Sequence, residues 1–447
     1  MPVTQFAVEE KYEYLEGFGC YHSSEAVKGA NPVAINSPQK PPLGLNTERI
    51  SGSSFTAPRA ENQQTWLYRV VPSLDHADFG THSVPNEQSV ADKQLKLTPN
   101  AFLWQNFPVP ADADFVSSQQ LIAKNGDPTT KTGCAYLVFS ATKDMAEHEA
   151  FFSSDGDYLI VPQAGTLDIQ TELGRLLVRQ NEFAVIPRGI RYRVTLPTGL
   201  ARGLIVELYQ GHFQLPELGP IGSSSLAGVR DFQVPKAYFD GKIENGVAVI
   251  NHPDQEWTIV TKFAGTLFSC KQTHTPFDVV GWNGTYYPYK FDFARFCVLG
   301  SVLFDHPDPS IFTVLTAPSN RQAGTAVIDF AVIPPRWSVM EGTYWAPYFH
   351  RNCMSEFAFP VVGDQSPGNP LSQGRRFLPF GGLLNNPMVP HGMDPARHEE
   401  ARERSTAPEK VDDGPFFLCL FETEATMALS EYALKASGKK VETVPKL

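Results

Sequence analysis

Three residues have the types and spacing for metal chemistry. Glu356 follows His350 by six residues, and His391 comes 35 residues after Glu356. Two neutral imidazoles and one carboxylate can occupy one face of Fe(II), leaving the opposite positions open for substrate and O₂. The first two stand in Pro347-Tyr348-Phe349-His350-Arg351-Asn352-Cys353-Met354-Ser355-Glu356-Phe357, the third in Met388-Val389-Pro390-His391-Gly392. On one extended strand the even separation would put His350 and Glu356 on the same side, because side chains alternate with period two. Zinc would accept the same donors. The plain alternative is two core histidines and a paired surface glutamate.

Other residues offer less. His306 stands in Phe304-Asp305-His306-Pro307-Asp308-Pro309-Ser310, as a turn histidine bonded to Asp305 or Asp308, or as a general base that a carboxylate orients. His212, His252, His274 and His398 have no ligand-like company. Asp155-Gly156-Asp157 lacks the spacing of a calcium loop and marks a turn. Gly381-Gly382 is not followed by the Lys-Ser/Thr of a phosphate loop. No Gly-x-Ser-x-Gly element supports a serine hydrolase.

Strands must position the metal set. The 34 glycines and 37 prolines of the 447 residues punctuate many short apolar segments. Ala135–Phe139, Asp157–Pro162, Gly165–Thr171, Arg175–Val178, Asn181–Ile186 and Ile190–Val194 follow one another with turn signals between them, as in a sandwich or jelly roll. The order matches a cupin core. Arg191 and Tyr192 stand where a cupin's last metal histidine would be, so this half is expected to be a jelly roll without metal. The strand pattern returns from about residue 296. There His350 and Glu356 fit the cupin pattern His-x-His-x₃-Glu, with Asn352 at the second histidine. The fold class expected is mainly β, two cupin-like jelly-roll halves of bicupin type. Residues 1–295 would form an N-terminal arm, a metal-free jelly roll and a bridging region. Residues 296–447 would form the catalytic domain with the metal site. Residues 1–65 predict an arm without regular structure, 396–405 a charged helix, and 425–436 an apolar-faced helix stopped by Gly438.

Composition limits the partners. Apolar residues at 42% suit a folded chain with a large core, and the net charge of −11 disfavours nucleic acid and anionic membranes. No apolar run approaches a membrane span. Six scattered cysteines without a Cys-x-x-Cys, and an N-terminus without a signal pattern, predict a cytoplasmic protein with free thiols.

Longer stretches resemble the homogentisate 1,2-dioxygenase family nearly end to end. They include Ser51-Gly52-Ser53-Ser54-Phe55-Thr56, Glu217-Leu218-Gly219-Pro220-Ile221-Gly222, Tyr287-Pro288-Tyr289-Lys290, Asp308–Thr316, Pro334-Pro335-Arg336-Trp337 and His350–Phe357. The resemblance implies Fe(II) held by His350, Glu356 and His391, with His306 at the position of the family's base. It implies a homogentisate-like hydroquinone opened by O₂ with both oxygen atoms retained, giving maleylacetoacetate in tyrosine and phenylalanine catabolism. It also implies a hexamer, a dimer of trimers, with arms packed between subunits. Substrate contacts would come from His391, Tyr348, Gln365 and Asn385. Here the chain departs from the family: the run 358–370 is some five residues longer, Gln365 falls near a substrate-binding tyrosine, and Asn385 replaces a pocket histidine. Kept ligands with changed contacts raise the alternative of a paralogue cleaving another dihydroxyaromatic. A second alternative is a bicupin that binds without catalysis.

Overall fold

In a computed structural model the chain is described over residues 4–84, 94–217, 227–296, 312–338, 349–362, 378–392, 395–407, 409–411 and 417–445. His306, Tyr348 and Gln365 lie outside the described residues. The fold is mainly β. Its first half is a jelly roll in which the strand Asp157–Thr171 serves both sheets. The early part of that strand pairs with Ala201–Leu208 and Glu182–Ile186, the later part with Gly174–Arg179 and Tyr192–Thr195. A register shift between Pro162 and Ala164 marks the passage from one sheet to the other, the usual work of a bulge at a corner.

The second half is built on a six-stranded sheet in the order Thr313–Pro318, Ala326–Ile333, Phe417–Thr423, Ser355–Val362, Gly382–Asn385, Phe102–Trp104. Its last strand comes from the first half of the chain. In return, Ala428–Leu429 and Val444–Pro445 pair with Gln120–Lys124 and Lys96–Leu97. The halves therefore exchange edge strands, which leaves fewer open edges on either sheet. Gly381 is required by this exchange, because a Cβ there would sit 2.3 Å from the Trp104 carbonyl oxygen.

One strand divides its side chains between two cores. Phe357, Phe359 and Val361 enter a large cluster continuous with the first half, where Phe357 stacks on Tyr136 at 4.6 Å between centroids. Ala358 faces the other way, into a smaller cluster with Leu103, Ala331, Leu418 and Leu420. Glu356 shares that second face by alternation.

Three sequence expectations are corrected. The first 65 residues carry regular structure: Tyr14–Glu16 pairs with Gln233–Pro235, His22–Glu25 with Val279–Gly284, and Asn46–Ser51 with Gln64–Arg69. These strands are short and polar, so alternation is faint. The last helix spans only Glu431–Ser437, with Ser430 capping its start and Gly438 its end. Ala428 and Leu429 are drawn into a sheet edge, and strand pairing overrides their helical spacing. His350 and Glu356 do not share one strand, since the strand begins only at Ser355. The charged helix is present as Pro395–Glu403.

The arm is pinned by a histidine. His212 Nδ1 lies 2.6 Å from Asp157 Oδ2, and its Nε2 lies 2.6 Å from the Gly52 carbonyl oxygen. Both partners are acceptors, so the ring must carry two protons. Burial pushes the imidazole pKa down, but the Asp157 charge and hydrogen bond push it up further, leaving it raised; Arg188, also bound to Asp157, opposes this weakly. A raised folded pKa means that the contribution is complete below the unfolded value of about 6.5 and is lost as pH rises through the folded value. The variant His212→Gln is expected to lose about 3 kcal/mol at pH 6. Its deficit against the wild type should shrink as denaturant melts are repeated at rising pH. A deficit that grows with pH would contradict the doubly protonated ring.

Candidate metal centre

The site is assembled by backbone pairing. His350 N–H donates to the His391 carbonyl at 2.9 Å, and His391 N–H donates back to His350 at 3.1 Å. This isolated antiparallel bridge puts both side chains on one face, with ring centroids 4.2 Å apart. The turn before His391 is tied down by Met388 N–H to the Asn352 carbonyl and Val389 N–H to the Asn386 carbonyl, at 2.9 and 3.1 Å. Glu356 then enters from the second position of the central strand Ser355–Val362.

The three side chains converge. Glu356 Oε2 lies 2.9 Å from His391 Nε2 and 3.7 Å from His350 Nε2. One ligand atom from each residue lies within 4.8 Å of the others. His391 Nδ1–H donates to the Val389 carbonyl at 2.9 Å, which turns Nε2 toward the carboxylate and fixes the tautomer a metal ligand needs. Asn352 Nδ2 lies 3.5 Å from Glu356 Oε2, while its Oδ1 has no partner among the described residues. Phe349, beside His350, stacks on His398 of the helix Pro395–Glu403 at 4.5 Å, so that helix flanks the site.

The electrostatics suit a cation. Burial would raise the Glu356 carboxyl, but hydrogen bonds and charge from the two imidazoles outweigh it and bring its pKa down to about 2. His391 moves the opposite way: burial lowers it, and the Glu356 bond and charge raise it more. The 2.9 Å gap between Nε2 and Oε2 is the place where a shared cation would be stabilised. Two imidazoles and one ionised carboxylate form the facial donor set for a non-heme metal.

Of the residues singled out in the sequence, His350, Glu356 and His391 are brought together. Asn385 stands directly opposite Glu356 on the neighbouring strand Gly382–Asn385. The backbone bridge that aligns the two histidines left no mark in the sequence. Neither did Glu422, which is opposite Glu356 on its other side. Asn352 had one signal, its place in the His-x-Asn-x₃-Glu spacing.

Comparison with known proteins covers nearly the whole chain. Residues 13–293 match the family model described as homogentisate 1,2-dioxygenase N-terminal, and 294–443 match its C-terminal counterpart. Among curated relatives, the homogentisate 1,2-dioxygenase of Emericella nidulans is 50% identical over 98% of this chain and 95% of its own length. Those of Dictyostelium discoideum and Homo sapiens are 45% and 42% identical, each over 95% of this chain and 94% and 93% of their own lengths.

Removing one imidazole should loosen the hold on the carboxylate. In metal-free protein, His391→Ala is expected to raise the Glu356 pKa above about 2, with His350 still holding it below its ordinary range. Titration followed by carboxyl ¹³C NMR reads this, and a pKa unmoved by the substitution would contradict the coupling.

Proposed function

Because the chain belongs to the homogentisate 1,2-dioxygenase family, we propose that His350, Glu356 and His391 hold Fe(II) and that the protein opens the ring of homogentisate with O₂. It is a ring-cleaving dioxygenase. The metal assignment is carried by one observation, the convergence of three donor atoms within 4.8 Å. Bound there, Fe(II) supplies a template for ring and O₂ and a path for electrons between them. The chain's own residues do the rest.

His391 is held by Val389 with its Nε2 facing the other two donors. Glu356 stays ionised across the neutral range. The Asn352 amide steadies Oε2 from the side, and its unpartnered Oδ1 is left to accept an O–H from a bound ligand. Resemblance assigns His306 to take or relay a phenolic proton, a task suited to an imidazole. Tyr348 and Gln365 are assigned as further contacts to the aromatic substrate on the same ground.

We infer in addition a cytoplasmic hexamer, built as a dimer of trimers, with residues 1–295 and 296–447 as its two functional regions. Cys20, Cys134, Cys270, Cys353 and Cys419 are free thiols, which fits a reducing compartment. Light scattering should give six chains of 49.4 kDa; a monomer would end that reading.

Anaerobic reconstitution with Fe(II), followed by homogentisate and O₂, is expected to consume one O₂ per ring. No uptake with the fully loaded protein would refute the function. His350→Ala should bind almost no iron by elemental analysis. His306→Ala should keep its iron and lose about 10²- to 10⁴-fold in turnover, the range for a general base.

A further inference from the structure

Asn385 is 1% exposed, and neither its Oδ1 nor its Nδ2 has a hydrogen-bond partner among the described residues. The next residue shows that the fold can satisfy a buried amide. Asn386, 4% exposed, accepts from Met427 N–H and Ser355 Oγ, and donates to the Thr98 and Met427 carbonyls. The two residues face opposite sides of their chain. Asn386 is locked into packing, whereas Asn385 stands across from Glu356 in direct antiparallel register. Paired residues share a face, so Asn385 is on the side of the sheet from which Glu356 reaches His391. An unpaired amide in a protein interior is unfavourable, and one beside the donor set calls for a ligand as its partner.

We propose that Asn385 is a specificity-determining residue whose carboxamide recognises a ring hydroxyl that keeps its proton. The hydroxyl donates to Oδ1, and Nδ2–H donates to an acceptor oxygen of the same bound molecule. This rests on the ring-opening reading and refines its substrate class. A carboxamide presents one acceptor and one donor side by side at zero charge. A carboxylate or phenolate can only accept, which would leave Oδ1 unpaired, and either would bring a second negative charge toward ionised Glu356. A neutral hydroxyl meets neither objection. A dihydroxy ring held at the donor set would thus keep one hydroxyl protonated against Asn385. Because the amide does not titrate near neutrality, this contact is independent of pH there, unlike one made by an imidazole.

The test uses Asn385→Leu, close in size and without polar atoms. In ligand-free protein the variant should melt at a higher temperature than the wild type, since it removes two unpaired buried polar atoms. An amide with a structural role would lower the melting temperature, and that result overturns the proposal. The second measurement is anaerobic binding to the Fe(II)-loaded protein of 2,5-dihydroxyphenylacetate and of its analogue with a 5-methoxy group. The wild type should prefer the dihydroxy compound by about tenfold or more, and Asn385→Leu should bind the two within about twofold, as expected for loss of one buried hydrogen-bonding partner. A preference that survives in the variant, or is absent from the wild type, overturns the proposal. Failure of the ring-opening reading shows separately, as no O₂ uptake by the wild type with 2,5-dihydroxyphenylacetate.

Discussion

Two backbone hydrogen bonds, exchanged between His350 and His391, are the constraint on which the site depends. They join segments 41 residues apart and turn two imidazoles to the same side. Without them the histidines would sit on separate connections, each free to rotate away from Glu356. A single bridge is weak by itself. It is held because the sheet fixes what lies on either side. Glu356 is locked between two strands, and the turn before His391 is bonded to the backbone of Asn352 and to that of Asn386, at the end of the strand opposite Glu356. The distance between imidazoles and carboxylate is therefore set by main-chain geometry more than by side-chain packing.

That geometry requires both halves of the chain. The strand carrying Glu356 sends Phe357, Phe359 and Val361 into the core shared with the first half. The strand carrying Asn385 is closed on its outer side by Phe102–Trp104. Gln163 Nε2 donates to the Val361 carbonyl, and Asn125 Nδ2 donates to Thr423 Oγ1, from the first half to the sheet of the second. The jelly roll of the first half thus acts as the wall against which the sheet carrying Glu356 is built. Loss of packing at Tyr136 or Trp104 would be felt at Glu356 one residue away from the contact.

Much of this was legible in the sequence, and the rest has identifiable physical reasons. Types and spacing of His350, Glu356 and His391 pointed to the donor set because metal chemistry admits few combinations. Strands from Ala135 to Val194 were legible because buried apolar alternation is strong. The route by which His350 reaches Glu356 was not, since period-two reasoning cannot tell a continuous strand from a bridge followed by a turn. The strands of the first 65 residues were hidden by their polarity, as in His22-Ser23-Ser24-Glu25. Ala428 and Leu429 have helical spacing and sit in a sheet because their partner, Gln120–Lys124, lies about 300 residues away. Long-range pairing leaves no local trace.

The register of the second sheet gives the site its electrostatic character. Thr316, Asp329, Glu422, Glu356 and Asn385 stand opposite one another across five successive strands. This makes a polar row across the sheet, bordered on one side by Leu315, Phe330, Phe421, Phe357 and Leu384. Like charges directly opposite in a sheet oppose folding, and burial already raises the Asp329 carboxyl. A divalent cation held by His350, Glu356 and His391 would offset the repulsion near Glu356, and a hydrogen-bonding ligand would satisfy Asn385. Both bind only the folded chain, so each occupant adds to stability in proportion to its affinity. The features least favourable to the protein alone thus share one face of the sheet with the His350, Glu356 and His391 cluster.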